Sequence, residues 1–239
     1  MRIIILEADK PMDVVAKDFG SYEVQFKKLL QVGGVKSTDS IESYDVVEGQ
    51  YPTGDIDAVL ITGSKYSAYQ DEEWIVKLVD FTKQCIERSI KIVGICFGHQ
   101  ILARALGTPV IVNPKGWEIS ATAIEPTELG KNVFPELQNG PISIMQMHRD
   151  IVSSLPKGTQ LLAQNSVCEI QGFYAQGQFL ALQGHPEYVG EVVKRMVQTR
   201  HSQGIFNDEL AQSALSRVDS QNDGPILAKA IVRFIYGEI

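Results

Sequence analysis

The stretch KIVGICFGHQILARALG, Lys91 to Gly107, decides the fold. It opens on a buried β-type run, Lys91–Ile95, and passes through Gly94-Ile95-Cys96-Phe97-Gly98. A helix of good formers follows, with Ile101, Leu102, Ala105 and Leu106 on one face. This is the strand–turn–helix pattern G-x-nucleophile-x-G, with cysteine at the nucleophile position. The turn is so tight that a Cβ on either side would clash, and the nucleophile is forced into an unfavourable backbone conformation. The sulfur is thereby expected at the carboxyl end of a strand, where open α/β sheets bind ligands. It also sits at a helix N-terminus, whose partial positive charge favours thiolate. The Phe97 N–H then points to where an oxyanion would form.

Outward from this elbow, Arg2–Glu7 and Ala58–Ile61 are aliphatic runs of strand type, and Tyr22–Leu30 and Asp71–Arg88 carry helical spacing. Strands alternating with helices predict right-handed βαβ units and a parallel sheet covered on both faces. From about Pro109 to Phe179 the helical period is lost. Short β-like pieces appear instead at Val110–Val112, Ile119–Ile124, Ile142–Met147 and Val167–Phe173, expected as antiparallel additions to the sheet or a flap beside it. A strand returns at Phe179–Gln183, followed by helical stretches over Glu191–His201, Asn207–Val218 and Pro225–Tyr236. With no repeat, low-complexity tract or linker, one domain over 1–239 is the economical reading.

The strand Phe179–Gln183 runs into Gly184-His185-Pro186-Glu187. A thiolate–imidazole pair needs a third group to fix the ring's tautomer. Residues i and i+2 of an extended segment point to the same side, so Glu187 is placed to reach back to His185. Pro186 stiffens the segment and biases His185 toward an extended backbone. Cys96, His185 and Glu187 are thus the expected triad. Their order differs from that of α/β-hydrolases, in which the acid precedes the histidine.

Composition narrows the classes. The 239 residues carry 22 Lys and Arg against 29 Asp and Glu, a net charge of −7, without a long basic run. That disfavours binding to nucleic acid or to an anionic membrane surface. Three widely spaced cysteines, Cys85, Cys96 and Cys168, make neither a disulfide framework nor a zinc motif. No His/Asp/Glu cluster has metal-ligand spacing, and no cofactor is implied. No stretch approaches the ~18 apolar residues of a membrane span, so the chain reads as cytosolic. Cys85 and Cys168 read as structural, and His201 as solvated. His148 with Asp150 is a competing base pair, and Trp117 is either a substrate wall or a loop packer.

The elbow Gly94-Ile95-Cys96-Phe97-Gly98-His99-Gln100 and the Gly184-His185-Pro186-Glu187 segment together resemble the signatures of the class I, triad-type glutamine amidotransferases. The likeness extends over Glu7-Ala8-Asp9, Thr62-Gly63-Ser64, Gly116-Trp117-Glu118 and Met147-His148-Arg149-Asp150. The resemblance implies a three-layer α/β/α fold with a mostly parallel, flavodoxin-like central sheet. It also implies a glutaminase reaction, in which the thiolate attacks a γ-glutamyl amide to give a thioester that water hydrolyses. Gln100 would help bind the glutamyl group, and the loop after Ala58–Ile61 would supply the second oxyanion donor. Where the family commonly has Gly-Gly-Pro, this chain has Gly63-Ser64-Lys65, which leaves open whether Gly63 or Ser64 donates. The residues after Val218 offer no phosphate-binding loop. Two expectations follow: a separate synthetase or acceptor protein takes the ammonia, or the chain acts alone on a γ-glutamyl compound. The second resembles the γ-glutamyl peptidases. A non-catalytic module on the same fold is the alternative from another class, and a redox-sensing thiol is disfavoured by His185 and Glu187.

Overall fold

The computed structural model describes residues 1–239. Its backbone is a nine-stranded sheet. In chain order the strands are β1 (Arg2–Glu7), β2 (Ser40–Asp45), β3 (Ala58–Ile61), β4 (Lys91–Ile95), β5 (Val110–Val112), β6 (Glu118–Pro126), β7 (Ile142–His148), β8 (Asp150–Val152), β9 (Gln160–Gln164), β10 (Gly172–Ala175) and β11 (Phe179–Leu182). The sheet order is β2-β1-β3-β4-β11-β10-β9-β6-β7, and β5 and β8 form a separate antiparallel ribbon. The β2-β1-β3-β4-β11 half is parallel and the β10-β9-β6-β7 half is antiparallel. The expected three-layer α/β/α architecture with antiparallel additions is what the chain adopts.

The helices are α1 (Asp13–Phe19), α2 (Tyr22–Gly33), α3 (Glu73–Glu87), α4 (Phe97–Ala105), α5 (Glu128–Val133), α6 (Gly190–Ser202), α7 (Asp208–Leu215) and α8 (Gly224–Tyr236). The all-apolar run of β1 divides by strand parity, because successive side chains leave opposite faces. Ile3 and Ile5 join a core with Phe26 and Leu30 of α2 and Ile231 and Phe234 of α8. Ile4 and Leu6 join a second core with Leu78 of α3 and Ile101 of α4. A third core, containing Val193 and Val197 of α6 and Ala214 of α7, seals β6 and β7 through Ile119 and Met147.

Several boundaries shift from expectation. The helix expected over Asp71–Arg88 is Glu73–Glu87, and that expected over Asn207–Val218 ends at Leu215, with Asn207 as its N-cap accepting from Leu210 N–H. The β-like run Val167–Phe173 is mostly not a strand. Asn165 Oδ1 accepts from both Val167 N–H (3.0 Å) and Cys168 N–H (2.7 Å), and this side-chain turn competes with ladder pairing until Gly172.

Candidate active site

Cys96 stands between β4 and α4, where β4, β3 and β11 end together. Its N–H donates to Leu182 O of β11 (2.9 Å), and its backbone is held at φ 52°, ψ −100°. A non-glycine residue there stores about 1–3 kcal/mol of strain, retained only where the surroundings impose it. Two glycines do so. A Cβ on Gly98 would lie 2.2 Å from Ile61 O, and one on Gly94 would lie 2.7 Å from Gly98 O. The helix is thereby seated against β3, with Gly98 N–H bonded to Thr62 O (3.1 Å).

His185 follows β11 and is fixed by the antiparallel half of the sheet: its N–H donates to Met145 O of β7 (2.8 Å) in a one-pair antiparallel bridge. Its Nδ1 lies 2.7 Å from Glu187 Oε1, and both side chains are buried. The Tyr188 ring stacks on the imidazole at 4.2 Å with 5° between planes. Burial drives the imidazole toward its neutral form. The negative charges of Glu187 and of the Cys96 sulfur outweigh that, raising His185 to about 10.

The loop after β3 completes the surroundings. A Cβ on Gly63 would lie 2.8 Å from His185 Cε1 and 3.8 Å from Cys96 Cβ, so this backbone passes beside both. Thr62 N–H is bonded to Leu6 O, and Lys65 N–H to Asp9 Oδ2 (2.9 Å), whereas the Gly63 and Ser64 N–H groups have no acceptor within the chain. Lys65 Nζ also pairs with buried Asp9 at 2.9 Å. Both nitrogens of Lys65 thus grip one carboxylate. This ties the loop to the end of β1.

Cys96, His185, Gln100 and Ser64 line one cleft of about 850 Å³, together with Tyr22, Tyr188, Trp117, Arg149 and Arg200. Gln100, expected to bind the glutamyl group, lines this cleft, but its Nε2 is already spent on Asp150 O (2.9 Å) and Gln183 Oε1 (3.2 Å). Gln183 Nε2 lies 3.6 Å from Cys96 Sγ. Tyr188 and Gln183 are site residues that sequence reasoning passed over. The signal for Gln183 was a polar side chain closing an apolar strand immediately before the Gly184–Glu187 segment.

The competing pair His148 and Asp150 is not a base and its orienting acid. His148 Nδ1 faces the Asp150 backbone oxygen (3.2 Å), and its Nε2 faces Glu118 Oε2 (2.9 Å). Burial pushes Glu118 up, but hydrogen bonds from His148, Asn165 and Gln171 pull it below the usual carboxylate range. Cys85 and Cys168 are buried free thiols, raised by burial to about 11 and about 12. His201 is half-exposed and pairs with Asp208 (2.7 Å).

A strained cysteine at the strand–helix elbow thus stands beside a histidine bonded to a buried glutamate, at the carboxyl edge of the parallel strands. The model of the class I glutamine amidotransferase family matches residues 15–202. This chain belongs to that family. An amidotransferase-like protein of Schizosaccharomyces pombe is 41% identical over 98% of both chains. Gamma-glutamyl peptidase 4 of Arabidopsis thaliana is 29% identical over 91% of this chain and 88% of its own. The crystal structure of a glutamine amidotransferase from Thermotoga maritima superimposes with a TM-score of 0.73 over 98% of both chains at 19% identity, a likeness of fold. No helix is long and apolar enough to cross a membrane.

Proposed function

We propose that the chain hydrolyses γ-glutamyl amide bonds through a γ-glutamyl thioester on Cys96. The observation that supports this most is the geometry at the sheet's carboxyl edge. The strained Cys96 caps α4, and His185, beside it, is held by Glu187 at 2.7 Å. In the first half-reaction the thiolate attacks the amide carbonyl and a C–S bond forms. The Phe97 N–H and one of the free N–H groups of Gly63 and Ser64 receive the negative oxygen. The imidazolium gives its proton to the leaving nitrogen as the C–N bond breaks. In the second, neutral His185 takes a proton from water, whose oxygen bonds the acyl carbon; the C–S bond then breaks, returning the thiolate, and glutamate leaves. Glu187 keeps the ring oriented and stabilises its cationic form.

A second reading narrows the substrate to γ-glutamyl peptides, and it has specific support. A cleft of about 850 Å³ is large for glutamine alone. The Arg149 and Arg200 guanidinium groups approach the Trp117 ring at 5.8 and 5.5 Å, where they would meet an anionic leaving group. Four relatives from Arabidopsis thaliana are named as gamma-glutamyl peptidases. The test is a side-by-side comparison of glutamate release from glutamine, a γ-glutamyl dipeptide and a glutathione S-conjugate by the purified chain. Faster turnover of the peptides removes the need for an ammonia-accepting partner, and faster turnover of glutamine restores it. No release from any of the three removes the hydrolase reading.

A further inference from the structure

We infer that Gln183 is a catalytic residue: its side-chain amide donates a hydrogen bond to the Cys96 sulfur and holds it as thiolate. This rests on Cys96 being the nucleophile of the reaction proposed above. The amide's orientation follows from a chain of contacts anchored at a backbone carbonyl. Asp150 O is an acceptor only, so the end of Gln100 that meets it at 2.9 Å is the NH2 group. The same nitrogen meets Gln183 at 3.2 Å, which requires the oxygen of Gln183 to face it. Gln183 therefore turns its own NH2 toward Cys96 Sγ, 3.6 Å away.

Each link is buried: Gln183 is inaccessible to solvent and Gln100 and Cys96 nearly so. The two amides are screened from water, so the donor is worth more to a charged sulfur than it would be at a surface. The anchor is itself secured, because His148 Nδ1 also meets Asp150 O (3.2 Å) and His148 is held by Glu118. Gln100 thus acts as a positioning residue for the amide that touches the sulfur.

The titratable groups facing the sulfur are His185, Glu187 and Tyr188 from the segment after β11 and Tyr22 from α2. None of them changes in a Gln183 variant. The test is alkylation of Cys96 by iodoacetamide in the full-length chain, read by mass on the Cys96 peptide across a pH series. Gln183→Met keeps the length and loses the donor. Gln183→Glu keeps the acceptor toward Gln100, loses the donor and adds a charge. A hydrogen bond to a charged group is commonly worth tenfold or more, so Gln183→Met is expected to label roughly tenfold more slowly at about pH 7. Gln183→Glu should label more slowly still. The Gln183→Met deficit should narrow as pH rises, because the lost donor acts on ionisation of the sulfur rather than on access to it. Wild-type labelling of Gln183→Met at neutral pH, or an equal deficit at every pH, overturns the assignment. If Gln183→Met does not fold, wild-type labelling of Gln183→Glu overturns it instead. Labelling as expected by a wild-type chain that releases no glutamate upholds Gln183 and removes the hydrolase reading.

Discussion

His185 Nδ1 lies 2.7 Å from Glu187 Oε1 across a single proline, with both side chains buried. The carboxylate is the leading influence opposing the desolvation that would strip the imidazole of its proton. Glu187→Gln removes that charge and leaves the shape. It should lower kcat by roughly 10²–10⁴-fold, the range for loss of general acid–base function. It should also move His185 down from about 10, so the alkaline limb of the pH–rate profile shifts to lower pH. An unchanged alkaline limb would disconnect Glu187 from the imidazole.

Two glycines near the sulfur should fail in different ways. At Gly98 an added Cβ meets Ile61 O at 2.2 Å, a backbone atom of a central strand that cannot give way. Gly98→Ala should cost about 3 kcal/mol of stability, read as a lowered unfolding midpoint. At Gly63 the nearest atom is His185 Cε1 at 2.8 Å, a side chain. Gly63→Ala should retain most of its stability and lose activity by displacing the ring. Thermal unfolding and glutamate release, measured on both variants, separate the two cases.

His99 supplies a pH dependence of stability. The ring is fully buried, 4.8 Å from Phe173, and desolvation lowers it to about 3, with the charge of His148 acting in the same direction. The unfolded chain binds a proton at His99 below about pH 6.5, whereas the folded chain does not until about pH 3. The unfolded state therefore holds more protons in that window, and stability falls as pH falls through it. His99→Leu should flatten the decline of Tm between about pH 6.5 and about pH 4. A slope equal to wild type would show that other groups set the acid limb.

The three thiols should differ sharply in reactivity. Burial holds Cys85 at about 11 and Cys168 at about 12, both neutral and inaccessible. A glutamine-like electrophile at neutral pH should modify the native chain once, at Cys96, and peptide mass mapping reads the site. Modification at Cys85 or Cys168 before Cys96 would contradict the placement of the reactive sulfur.

The elbow and the Gly184–Glu187 segment were legible because their chemistry is local: spacing alone brings Cys96 to a helix N-terminus and Glu187 back to His185. The fully buried strands β1, β3 and β4 were legible as unbroken aliphatic runs. The edge strand β2 (Ser40–Asp45) was not. It carries the polar sequence SIESYD, and its place comes from parallel pairing with β1 and from Arg2 reaching Glu42 at 2.8 Å. Strand β9 and helix α1 were missed because they are short and amphipathic only in their tertiary setting. The Gln183–Gln100–Asp150 contacts join residues 50 to 87 positions apart, a relation that no local spacing encodes.

The central claim is that Cys96 forms the bond to the γ-glutamyl carbonyl. Its most direct test is glutamate release from glutamine and from a γ-glutamyl dipeptide by Cys96→Ala, beside the wild-type chain, with the unfolding midpoint of each recorded. The account predicts a folded variant that releases no glutamate from either compound under conditions where wild type turns over. Release at the wild-type rate by folded Cys96→Ala would contradict it.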